Sequence, residues 1–109
     1  MISQLYLAGR LAFAPEISQT KKGGLQVRLL LETELVRNGS GGLASESVVL
    51  PVSLFSREAE AVKTLLHGDS LTLGCHLYGT RFEAPDGRVS HGVKIVADDV
   101  LGTRKGGGR

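Results

Sequence analysis

ESVVLPVSLFSREAEAVKTLLHGDSLTLGCHL, residues 46–77, contains the change of period that decides the fold. Over Glu46–Phe55 apolar residues recur at every second position, at Val48, Leu50, Val52 and Leu54, as a strand with one buried face requires. From Ser56 the spacing changes, and Ala59, Val62 and Leu66 fall on one face of a helix predicted over Ser56–Leu66. Ser56 is placed to cap that helix, Glu58 and Glu60 suit its positive end, and Gly68 can close it. At Ser70 the period of two resumes. Leu71, Leu73, Cys75 and Leu77 take one face, Thr72, Gly74, His76 and Tyr78 the other.

The same alternation extends outward in both directions. Gln4–Ala12 sets Leu5, Leu7, Gly9 and Leu11 against Tyr6, Ala8 and Arg10. Leu25–Val36 sets Leu25, Val27, Leu29 and Leu31 against Gln26, Arg28, Leu30 and Glu32, after a basic turn at Lys21-Lys22-Gly23-Gly24. Arg37–Ser45, with Asn38-Gly39-Ser40-Gly41-Gly42, reads as a mobile hairpin loop. Pro51 lacks a ladder donor, so its strand should have an edge or a bulge there. The fourth strand covers Ser70 to about Arg81, Pro85-Asp86-Gly87 turns the chain, and Arg88–Ala97 supplies the fifth. Three strands, a helix and two strands make an all-β chain with one short helix. That is the order of an OB-fold, a five-stranded Greek-key barrel with the helix between strands three and four. Residues 1–101 are expected to form this domain, and the basic, glycine-rich 102–109 a disordered tail.

Composition fits a single globular domain of 109 residues, 41% hydrophobic and 22% charged. A net charge of +2 is too small to announce a nucleic-acid partner, so arrangement must do so. The lone Cys75 has inward parity and cannot staple the fold, and His67, His76 and His91 lack metal-ligand spacing. Asp98-Asp99 reads as a solvated strand end, and no nucleophile elbow or phosphate loop is present. The expectation is a non-enzyme without cofactor or metal. No apolar run approaches signal-peptide or membrane length, which points to a cytoplasmic protein.

Gln4-Leu5-Tyr6-Leu7-Ala8-Gly9-Arg10-Leu11 resembles the opening strand of the bacterial single-stranded-DNA-binding protein superfamily. Pro15-Glu16, Gly23-Gly24, Glu32-Thr33-Glu34 and His67-Gly68-Asp69-Ser70-Leu71-Thr72-Leu73-Gly74 follow in that family's order over about residues 3–101. Leu50-Pro51-Val52-Ser53-Leu54 is similar to the third strand of the primosomal replication protein N branch. The resemblance implies binding of single-stranded DNA in replication restart, contacts with replication-restart proteins, and a homo-oligomer, with the dimer of that branch favoured and the tetramer of general binders the alternative. The chain departs from the family in having no tryptophan; Phe55 and Phe82 are the nearest counterparts for stacking.

Sequence-independent binding of a single strand needs cations for phosphates and flat faces for bases. Tyr78-Gly79-Thr80-Arg81-Phe82 and Arg88 interleave both around one loop. Tyr6 and Arg10 share the outer face of the first strand, Arg28 lies on the second and Lys94 on the last. Lys21 and Lys22 occupy the first loop and Arg37 borders the second. Loops one-two and four-five flank the binding face of OB-folds generally. Phe13 has core parity, and Phe55 divides evenly between core and contact. Three functions remain open on this reading: a single-strand DNA binder of the primosomal or general type, an OB-fold adaptor for proteins, and an RNA binder.

Overall fold

The computed structural model describes residues 4–39 and 42–106, as backbone alone over 35–39 and at 43 and 44. Six strands and one helix follow as β1 (Gln4–Leu11), β2 (Glu16–Gln19), β3 (Leu25–Gly39), β4 (Gly42–Phe55), α1 (Ser56–Val62), β5 (Ser70–Glu83) and β6 (Val89–Arg104). Hydrogen bonds run β1-β5-β6-β4-β3, and a second pairing of β1 with β3 closes the ring. Only the short β4–β6 contact, Val52 with Ile95 and Ser53 with Val96, is parallel. This is the five-stranded OB-fold barrel, with the helix between its third and fourth strands and β2 added outside.

The inward residues are those the alternation marks. Leu7 and Leu11, Val27, Leu29 and Leu31, Val52 and Leu54, and Leu71, Leu73 and Cys75 are buried. Ala59 and Val62 of α1 join the same cluster, packing the helix against the barrel. Closure depends on one close approach. A methyl group on Gly9 would collide with the carbonyl oxygen of Glu32, so β1 crosses β3 where only glycine fits. Pro51 pairs with Leu30 on one side, and β4 meets β6 only from Val52 onward, so its missing amide faces an open edge.

Several expectations need correction. The stretch before Lys21 contains β2, which pairs with Leu25–Arg28; all four of its residues are exposed, so no buried face marked it. Within the presumed loop over Arg37–Ser45 the β3–β4 ladder continues to Gly39 and Gly42, and 40–41 lie outside the described residues. The helix stops at Val62 rather than Leu66. Asp69 explains this, because its Oδ2 accepts the Leu66 amide that a longer helix would give to Val62. Leu66 is consequently 60% exposed. Ser56 makes no side-chain cap; it takes a left-handed φ of 53° at the junction, and Phe55 holds the cap position. Phe13, expected in the core, is 61% exposed. Gly102, Thr103 and Arg104 of the expected tail pair with β5, while 107–109 lie outside the described residues.

At Gly106 the segment that follows β6 is tied down. The Gly106 amide donates to Asp69 Oδ1, and a methyl there would strike the Gly68 carbonyl. The radius of gyration is 15.9 Å, above the roughly 13 Å of an average compact chain of this length. The excess comes from the β3–β4 and β5–β6 hairpins, whose far halves pair only with each other.

Candidate nucleic-acid interface

Register places one cluster of rings and cations on the outer face. Tyr78 of β5 lies opposite Lys94 of β6, and the Lys94 ammonium sits 5.4 Å from the centre of the Phe55 ring. Phe55 ends β4 opposite Gln26, next to the turn that carries Lys21 and Lys22. Arg28, two residues along β3, has the same outward parity and lies opposite Ser53. Farther out on the hairpin, Phe82 faces Ser90 on the Tyr78 side, with Thr80 between the two rings. Tyr78 and Phe82 are 54% and 65% exposed, whereas Phe55 is half-buried. Phe55 therefore falls between the two environments weighed for it, with part of the ring packed and part accessible.

The cations divide by whether a carboxylate already holds them. Arg10 is bound to Glu32 at 2.8 Å, Arg88 to Asp86 at 2.8 Å and Arg81 to Glu83 at 3.6 Å. Asp86 also accepts the Arg88 amide, so Arg88 braces its own turn. Arg81 lies opposite His91, which puts it on the reverse face of the hairpin from Tyr78, Phe82 and Lys94. Lys21, Lys22, Arg28 and Lys94 have no ion-pair partner among the described residues. Of these four, Lys94 lies against Phe55 and opposite Tyr78, and Arg28 shares the outward parity. The Arg37 side chain lies outside what is described; its backbone belongs to β3.

Tyr6 and Arg10 form a separate group. The Tyr6 ring lies over Gly74, beside Asp99, and Arg10 is occupied by Glu32. Near them a groove of about 1080 Å³ is lined by Arg10, Arg104, Glu32, Glu34, Ser70 and Thr72, among others. Glu32 and Glu34 balance Arg10 and Arg104, so this groove offers phosphate no net positive charge, and an open strand needs a face rather than a pocket.

The titratable groups set apart from the face are structural. Amides of Leu66 and Gly106, and the nearby Lys105, hold the Asp69 carboxyl below its usual value. Burial, with help from the Asp98 charge, pushes the Cys75 thiol up to about 11, which makes it a poor nucleophile. His76 Nδ1 pairs with Asp98. Among the described residues no three His, Cys, Asp or Glu side chains gather as a metal site, and no helix is long and apolar enough to cross a membrane.

Thr80 and Gln26, which register sets among the rings, were absent from the sequence-level candidates. Parity alone could have found Thr80 between Tyr78 and Phe82, and the same parity separates Arg81 from both. The contact of Lys94 with Phe55 joins β6 to the end of β4, and no local pattern encodes it.

The fold and this face define an OB-fold barrel with an open surface of rings and unpaired cations. The chain belongs to the Single-strand binding protein family, whose model matches residues 2–102. It is similar in structure to a deletion mutant of the single-stranded DNA binding protein from Thermus aquaticus, with a TM-score of 0.79 and 22% identity. That likeness covers 97% of this chain and 52% of the other, so the chain spans about half the length of that protein. No curated protein matches it in sequence.

Proposed function

We propose that this chain binds single-stranded DNA without strong sequence preference, through Phe55, Tyr78, Phe82 and Lys94, flanked by Lys21, Lys22 and Arg28. One observation carries the reading: Lys94, unpaired with any described carboxylate, lies over the half-buried Phe55 ring and opposite the exposed Tyr78 on the outer face of a barrel of this family. Bases stack on the rings, phosphates meet the free cations, and binding involves no covalent chemistry. A role in replication restart, as a cytoplasmic dimer that contacts a primosomal assembly, is supported by the proline-bearing strand at Leu50–Leu54. Leu77, Val89 and Val93, 39%, 40% and 67% exposed on the reverse face of the hairpin, favour a protein contact beside the nucleic-acid one. They also keep the adaptor alive as the second reading.

The test is a fluorescence-anisotropy titration of labelled oligo-dT at several salt concentrations, with duplex DNA and oligo-U of equal length as competitors. Affinity for oligo-dT that falls steeply with salt, with duplex much weaker, is the expected result. Absence of binding at low salt would transfer the function to the adaptor reading, and a preference for oligo-U would make RNA the ligand.

A further inference from the structure

Lys94 lies over the Phe55 ring, on which the proposed binding mode stacks a base. We infer that in the free protein the Lys94 ammonium masks the Phe55 ring, and that binding exchanges it from the ring to a phosphate of the incoming strand. This inference rests on the single-strand reading above and adds to it a switch within the same site.

The geometry defines the two positions of the switch. At 5.4 Å from the ring centre, the ammonium lies within cation–π range, and it has no competing carboxylate among the described residues. The ring is half-buried, so only part of its surface is open to a base, and the lysine covers part of that. A base and an ammonium cannot share one patch of ring. The stem of Lys94 rises from an exposed position opposite Tyr78, and its four methylenes let the charge swing from ring to solvent without moving backbone. The departing charge is not lost to the site, because the phosphates of a stacked strand pass over the same face.

Free-state masking makes the two residues interdependent. Removing the lysine uncovers the ring but deletes one phosphate contact; removing the ring frees the lysine but deletes one stack. A double-mutant cycle of Lys94→Gln and Phe55→Leu on oligo-dT affinity is expected to show coupling of about two- to fivefold in Kd, the worth of an exposed cation–π contact. Loss of Phe55 should cost more affinity when residue 94 is glutamine, because no contact then has to be broken.

The deciding measurement is NMR of the Lys94 side chain. In the free protein its Hε resonances should lie upfield through the ring current of Phe55, and Phe55→Leu should remove that shift. Saturating oligo-dT should return them toward the solvent value in the wild-type protein. Tight binding with the upfield shift retained would overturn the exchange while leaving the single-strand reading intact. An unshifted Lys94 in the free protein would overturn the mask. Failure of oligo-dT to bind at low salt would overturn the single-strand reading, and the exchange with it.

Discussion

Arg81 and Lys94 sit on one hairpin, 13 positions apart in sequence, yet the ladder turns them to opposite faces. Arg81→Ala should leave the salt dependence of oligo-dT binding unchanged, whereas Lys94→Ala should reduce its slope by about 0.7, one phosphate contact on a single strand. Phe82→Ala should cost about 1–3 kcal/mol of affinity, read by anisotropy, with the melting temperature held, because that ring is mostly in solvent. Ser56 presents a different residue-scale case. Its φ of 53° is strained for a side chain with a Cβ, and its hydroxyl makes no cap bond. Ser56→Gly should therefore stabilise the chain, by about 0.5–1 kcal/mol in denaturant unfolding once the extra entropy of unfolded glycine is subtracted. A cap lost on Ser56→Gly or Ser56→Ala would instead appear as a lower midpoint.

Elements were legible in the sequence where one face was buried. The alternation Val27, Leu29, Leu31 and the run Leu71, Leu73, Cys75 point into the core as their spacing requires. β2 was silent because Glu16–Gln19 buries nothing. Gly39 and Gly42 suggested looseness, but a long ladder partner, not local composition, decides whether such residues pair. Helix length was misjudged because Asp69, outside the helix, takes the Leu66 amide. The candidate site was legible by residue type but not by membership. Tyr78, Phe82 and Lys94 share a face by parity, while Glu32, Glu83 and Asp86 pair with three arginines through contacts that charge counting cannot see. At the same scale, Gly9→Ala should break the β1–β3 crossing and lower the thermal midpoint sharply, since the added methyl meets backbone rather than a movable side chain.

Across the whole molecule, stability in acid should track Asp69. Its folded pKa lies below the ordinary 3.8, so its contribution is fully present above that value and is lost as pH falls through the folded one. Asp69→Asn should lower the midpoint at neutral pH and flatten its decline below about pH 4, followed by circular dichroism across the acid range.

The ring that joins β1 to both β3 and β5 also has a consequence for synthesis. A ribosome delivers the N-terminus first, but β1 finds its long partner only when residues 70–76 have emerged. The parallel seam at Ile95 and Val96, which links the two halves of the barrel, comes later still. Until then the nascent chain can hold a β3–β4 hairpin and little else, with its apolar faces unclosed. Barrel closure is thus deferred until residues 95–96 have emerged, and a chain stopped before Ile95 yields a substrate for proteases instead of a shortened barrel.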